Sequence, residues 1–159
     1  MKNIVLARID DRLLHGQVIV TWLSQTKANK ILIADDEVAN DEINKRILKA
    51  TCPEGVKIAF YDVAKSEEYL KGENRPGDRL IVLSKTPFAF EKLIENGVGI
   101  EHVILGGMGA KKGREGFIRN CSASQEEKDS MKHIIDMGVP VTFQLVPTEK
   151  SIEVAPYLK

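Results

Sequence analysis

Little in this 159-residue sequence points to disulfides, metal or bulk charge. It has only two cysteines, Cys52 and Cys121. They form no C-x-x-C pair and stand in no Cys/His cluster with zinc spacing, so no metal site is expected. Without a disulfide framework, a reducing cytoplasm is the expected compartment. Charge of one sign is not in surplus: 23 Lys and Arg balance 23 Asp and Glu. Nucleic-acid and anionic-membrane binders that work by displacing counterions need a basic excess, so no nucleic-acid partner is expected. No stretch approaches the roughly 18 apolar residues of a membrane span, and the N-terminal apolar run is too short for a signal peptide. Neither G-x-G-x-x-G nor G-x-x-x-x-G-K-[ST] occurs, which leaves nucleotide binding without its usual loop. No internal repeat, low-complexity segment or linker breaks the chain. Its length suits one domain, residues 1–159, with a core large enough to fold alone.

What is present is an alternation. Short runs rich in Val, Ile and Leu occupy 3–9, 30–35, 56–61, 79–85, 102–106 and 140–146. Their length suits strands buried on both faces. Helical patterns lie between them. In 16–26, Val18 pairs with Trp22 and Ile19 with Leu23 at i,i+4. Residues 41–51 have Asp41 as N-cap and Pro53 beyond the end. Residues 63–71 and 87–96 follow, the latter opened by Pro87 and closed by Gly97. Ser124 and Glu127 form a capping box for 124–137, and Gly138 ends that helix. A short strand is expected within 115–122 and a last helical turn within 151–159. The pattern predicts a three-layer α/β/α fold with a mostly parallel sheet of about six to seven strands. In such a sheet the active site lies at the strand carboxyl ends, so the loops after each strand carry the chemistry.

The loop after the first strand is the densest. RIDDRLLHGQVIV places Arg8, Asp10, Asp11, Arg12 and His15 around one strand-to-helix turn. A helix beginning at Gly16 presents free N–H groups that favour an anion. A histidine beside an anion site can act as a general base or as the nucleophile that accepts a phosphoryl group. Neutral imidazole is a good nucleophile near pH 7. Arg12 supplies a planar fork for phosphoryl oxygens, and Asp10 can orient either the imidazole or Arg12. Arg8 and Asp11 are given no role beyond bracing the loop. His102, opening a strand, and His133, inside a charged helix, read as structural.

ARIDDRLLHGQV is similar to the active-site loop of the IIB component of the mannose/fructose/sorbose family of the bacterial sugar phosphotransferase system (PTS). The similarity continues through KILIADDEVANDE, LSKTPFAFEKLIENGV and VILGGMG, and covers nearly the whole chain. The resemblance implies a phosphocarrier: a protein-phosphohistidine–sugar phosphotransferase without a cofactor. It implies that His15 takes a phosphoryl group on Nδ1 from a IIA partner and passes it to a sugar held by membrane IIC and IID partners. It assigns Arg12 to stabilising the transferring group and Asp10 to the acidic position ahead of it. Gly16 and Gln17 become donors at the helix start. Ser84, Lys85 and Phe88 become cleft residues. Gly106 and Gly107 would let a backbone or a phosphate approach closely. The chain is then expected in the cytoplasm, peripherally associated with its permease. The sugar and the oligomeric state are left open, a homo-oligomer included.

Other IIB families carry phosphate on cysteine, but here Cys52 and Cys121 read as packing residues outside the loop. Lys111, Lys112 and Arg114 read either as a solvated basic run or as a contact for a IIA or membrane partner. Two rival readings stand beside this one. ILIADDE resembles the start of a receiver domain, but the strand where such a domain needs its phosphoaccepting Asp ends LSKT. Asp35 and Asp36 are therefore expected to shape the loop and cap the next segment. A regulatory, phosphorylation-dependent binding protein of the same fold is the other alternative.

Overall fold

The structure, a computed structural model, describes residues 1–159 except the side chains of Gln17 and Val18. Strands are β1 (Ile4–Asp10), β2 (Lys30–Ala34), β3 (Lys57–Tyr61), β4 (Leu80–Ser84), β5 (Val103–Gly107), β6 (Glu115–Ile118), β7 (Cys121–Ala123), β8 (Val141–Phe143) and β9 (Ile152–Glu153). Helices are α1 (Gly16–Thr26), α2 (Asp36–Ala39), α3 (Glu42–Thr51), α4 (Val63–Lys71), α5 (Phe88–Glu95) and α6 (Gln125–Asp136). Seven strands form the main sheet in the order β3-β2-β4-β1-β5-β8-β9. Six run parallel, and β9 pairs antiparallel with β8 at the edge.

Period-two alternation sends each strand's apolar residues to two different layers. Leu32, Ala34, Leu80 and Val82 join a core with Leu70 of α4, Phe90 and Leu93 of α5, and Met131 and Ile134 of α6. Ile31, Ile33, Ile81 and Leu83 join the opposite core with Ile19 and Trp22 of α1, Val38 of α2 and Leu48 of α3. The fold is thus α/β/α. β1 is the central strand of the seven and its carboxyl end opens into the charged loop.

The caps read from sequence are present. The Asp41 side chain accepts from the Asn44 amide, and Ser124 and Glu127 bond reciprocally at the start of α6. Four expectations are extended or corrected. Asp35 caps an additional short helix, α2, because its Oδ1 accepts from two amides at once, Glu37 and Val38. Residues 115–122 hold parts of two strands, β6 and β7, which pair antiparallel as a separate hairpin; left-handed Arg119 lies between them. The last long run stops as strand at Phe143 rather than Val146. Beyond it the backbone turns away, so that the carbonyls of Gln144 and Leu145 serve side chains from β1 and α1. The tail forms the edge strand β9 before a single 3-10 turn at Ala155–Tyr157. Among the described residues no helix is long and apolar enough to cross a membrane.

Candidate active site

Two charges sit inside the most buried part of β1. Arg8 is 2% exposed and Asp10, the last residue of the strand, is 0% exposed. Both point to the side of the sheet covered by α1, along with Leu6. A buried carboxylate is tolerable only if its oxygens are bonded, and those of Asp10 are. Oδ1 accepts from the Arg12 amide and from Arg12 Nε, each at 3.1 Å. Oδ2 accepts from Arg8 Nη2 and Arg12 Nη2, each at 3.3 Å. The same oxygen lies 2.9 Å from His15 Nε2. Burial alone raises the Asp10 carboxyl. The Arg12 hydrogen bond, with those from His15 and the Arg12 amide and the charge of Arg8, outweighs burial and holds it below its ordinary value.

That depression fixes the chemistry of His15. An ionised carboxylate only accepts, so the ring nitrogen facing it carries the proton. In neutral His15 this leaves the lone pair on Nδ1, on the side of the ring away from Asp10. The His15 side chain is 22% exposed, so the ring is reachable but not loose in solvent.

Arg8 anchors this arrangement from below. Its Nη1 donates to the Gln144 carbonyl at 2.8 Å, and its guanidinium lies 5.4 Å from the centre of the Trp22 ring. Burial lowers the Arg8 pKa, and neighbouring Asp10 acts in the opposite sense. A Cβ on Gly106 would overlap the Arg8 guanidinium. One on Gly107 would come 2.8 Å from Arg12 Nη2 and 3.0 Å from Asp10 Oδ1. The two glycines thus admit the side chains of Arg8 and Arg12, where the sequence suggested a backbone or a phosphate. The β1–β5 register shifts here, between Ile9 and Asp10, as bulges beside functional sites commonly do.

The turn between Asp10 and His15 is strained. Leu13 has φ 56°, in the left-handed region that a non-glycine residue rarely adopts. Its amide donates to the Asp10 carbonyl at 2.9 Å, and both Leu13 and Leu14 are buried in the core under α1. That burial over-determines the turn and keeps its geometry. Gly16 follows with φ 43°, which its missing Cβ permits. His15 is the N-cap of α1 in extended conformation, and its side chain makes no capping bond. Since the ring is committed to Asp10, the first-turn amides of α1 keep no partner from their cap and can face an anion.

Asp11 turns the other way. Its Oδ2 accepts from the Gly109 amide at 2.7 Å and from Arg114 Nη1 at 3.2 Å. Arg114 in turn grips Glu127 with two parallel bonds, Nε to Oε1 at 2.9 Å and Nη2 to Oε2 at 2.7 Å. The Arg114 side chain is 2% exposed, so it is a buried strut and not part of a solvated basic run. It ties the charged loop to the 109–114 segment and to the capping box of α6.

The residues singled out from sequence divide into two groups. Arg12, Gly106 and Gly107 line a cleft of about 300 Å³ with Asp11, Cys121 and Phe143. Ser84, Lys85 and Phe88 line a different cleft, of about 380 Å³, with Asp35–Glu37, Lys111 and Arg114. Asp11 borders both, and His15 lines neither. Gln17, expected as a donor at the helix start, lies outside the described side chains. Cys121 is closer to the site than its sequence position suggests. Burial raises its thiol pKa, which disfavours the nucleophilic thiolate. Asp35 caps α2 through Oδ1 and accepts the Lys85 amide on Oδ2 at 3.3 Å, and Asp36 accepts the Val63 amide at 2.8 Å. Among the described residues, the group whose ligand atoms come within 4.8 Å of one another is Glu91, Glu95 and His133, on α5 and α6 outside this loop.

The family described as PTS system sorbose subfamily IIB component matches residues 4–159. The chain belongs to this family. IIB components act as phosphotransferases in sugar uptake. The IIB domain of the sorbose permease from Klebsiella pneumoniae superimposes with a TM-score of 0.91 at 26% identity, over 98% of this chain and 96% of that one. The fructose-specific EIIB component of Bacillus subtilis is 31% identical over 151 residues, 95% of this chain and 93% of its own length. The mannose-specific EIIAB component of Escherichia coli is 33% identical over 148 residues, 93% of this chain. The IIB chain spans about half of that relative, 46% of its length. Sequence reasoning did not place Arg8, Asp11 or Arg114 around the site. An arginine inside a fully apolar run was the available signal for Arg8. Nothing in the sequence spacing announced the contact of Arg114 with Asp11, 103 residues away.

Proposed function

We propose that this IIB chain carries the phosphoryl group on Nδ1 of His15. The observation that supports it most directly is the 2.9 Å pairing of His15 Nε2 with the ionised Asp10, which leaves Nδ1 as the free nucleophile. In the first transfer the Nδ1 lone pair attacks phosphorus, an Nδ1–P bond forms, and the donor's N–P bond breaks. The ring becomes cationic, and Asp10 at Nε2 stabilises that charge. In the second transfer a sugar hydroxyl attacks phosphorus, the Nδ1–P bond breaks, and the hydroxyl proton leaves to water. Neutral His15 is restored with its proton still on Nε2. Both steps spread negative charge over the equatorial oxygens. Half-exposed Arg12 and the amides at the start of α1, from Gly16 onward, are the donors placed to meet it. Gln17 is retained as a further donor on sequence grounds. Ser84, Lys85 and Phe88 have no part in this step.

The donor is a phosphohistidine on a IIA unit; the mannose-specific relative is named for an A and a B unit together. The acceptor is a sugar presented by membrane IIC and IID partners, with residues 1–159 acting as one IIB unit, cytoplasmic and peripherally bound to that permease. A partly exposed ring at a helix start suits a carrier that meets one protein and then another. Incubation of the purified chain with a complete phosphoryl donor cascade should give one acid-labile phosphoryl adduct. His15→Ala should abolish it. Arg12→Ala should slow transfer by roughly 10² to 10³-fold, as loss of one transition-state donor does, while leaving docking to IIA nearly unchanged. An adduct that survives His15→Ala would end this proposal.

A further inference from the structure

The cleft at the carboxyl end of β4 is not used by the histidine chemistry, yet it has the parts of a ligand site. It measures about 380 Å³ and lies between Asp35–Glu37, Ser84–Thr86, the start of α5 and Lys111. Its floor is Ser84, 1% exposed, whose Oγ has no hydrogen-bond partner among the described residues. Its wall is the amino end of α5, an eight-residue helix whose N-cap is Pro87 and which has no side-chain capping bond. A strand, a short Ser-Lys-Thr-Pro loop and an uncapped helix start make a place where amides converge on an anion. Lys85 and Lys111 stand at its rim, Lys85 also 3.4 Å from Glu37.

The opposite side is acidic, and that narrows the ligand. Asp35 is fully engaged by three backbone amides. Asp36 has one oxygen on the Val63 amide, and Glu37 is 79% exposed. These carboxylates repel a bare phosphate but accept from hydroxyl groups. Phe88, 43% exposed at the mouth, offers an apolar face to a sugar ring. Asp11 and Arg114, which close the remaining side, are bonded to each other.

We propose that this second cleft binds a phosphorylated polyol. The phosphate sits against the α5 amides, the Ser84 hydroxyl, Lys85 and Lys111. The hydroxyls face Asp36 and Glu37. That the ligand is the sugar phosphate made by this transport system rests on the phosphocarrier reading; the binding itself does not. Because Asp11 borders both clefts, occupancy here would be felt in the loop that holds His15.

The test uses ¹H–¹⁵N spectra of the full chain titrated with a hexose 6-phosphate, the unphosphorylated hexose and inorganic phosphate. Saturable shifts of the Ser84, Lys85, Thr86, Phe88 and Ala89 amides are expected with the hexose phosphate. They should persist in His15→Ala and weaken about tenfold or more in both Lys85→Gln and Lys111→Gln. Shifts confined to residues 10–16 and lost in His15→Ala would overturn the proposal, as would no saturable shift at all. Equal binding of inorganic phosphate would also overturn it, marking an adventitious anion only. A chain that binds hexose phosphate here but never becomes phosphorylated would keep this site and defeat the carrier reading. A chain that transfers phosphate with residues 84–89 unmoved would do the reverse.

Discussion

Asp10 is the residue on which the site turns. It has no solvent exposure and accepts from two arginines, a histidine and a backbone amide. Replacing it with Asn keeps the shape but presents one amide donor where all partners are donors. The protonated nitrogen of His15 is then no longer specified. Asp10→Asn should therefore populate both neutral tautomers, read from the ¹⁵N shifts of the ring. Phosphorylation of His15 should slow about 10²-fold or more, by analogy with other carboxylates that fix a catalytic imidazole. Asp10→Ala should cost roughly 3 to 5 kcal/mol in urea unfolding, because it leaves Arg8 buried and unpaired. The acid limit has a definite sign. The folded-state pKa of Asp10 is lowered, so its stabilising contribution is full above the unfolded value and fades as pH falls through the folded one. Gly106→Ala tests the same residue cluster from β5. Its Cβ would overlap the Arg8 guanidinium, and a loss of about 1 to 3 kcal/mol is expected for such overpacking.

Elements enter through the links between them. The Arg114–Glu127 pair joins the 109–114 segment to α6, with side chains 2% and 5% exposed. Burial raises the Glu127 carboxyl, but Arg114 and the Ser124 amide outweigh it and hold it low. Arg114→Ala should cost roughly 3 to 5 kcal/mol and loosen Asp11, visible as faster hydrogen exchange at Gly109. A weaker link joins α5 to α6: His133 lies 2.7 Å from Glu91 and 3.3 Å from Glu95. The hydrogen bond to Glu91 raises the His133 pKa. Its contribution is thus present below the ordinary histidine range and lost as pH rises through the folded value. A midpoint in urea that falls between about pH 5 and pH 8, and falls less in His133→Gln, would express this exposed link.

These elements were largely legible in the sequence because their signals are local. Asp41, Ser124 and Glu127 cap where spacing placed them. Short apolar runs became strands because both faces of the sheet are covered. What was not legible depended on contacts far apart in the chain. Arg8 has its second partner 136 residues away, at the Gln144 carbonyl. The run at 140–146 could not show that its last residues leave the sheet to make that bond. Gly106 and Gly107 read as room for a backbone or a phosphate because the side chains that fill their space come from another strand.

At the scale of the whole molecule, a six-stranded parallel array with one antiparallel edge strand sets β1 at its centre. Its carboxyl end then receives support from both neighbours, β4 and β5, and from both helical layers. That position explains how a partly exposed histidine is held by fully buried charges. It also separates two clefts on either side of Asp11, one bordered by Arg12 and one by Lys85. On the proposed mechanism this architecture presents Nδ1 of His15, and no other atom, as the phosphoryl acceptor. The direct measurement is long-range ¹H–¹⁵N and ³¹P spectroscopy of the ¹⁵N-labelled chain after phosphorylation by its donor. A single phosphoramidate at Nδ1 of His15, with Nε2 still protonated, is expected. Phosphate at Nε2, at another residue or at none would contradict it.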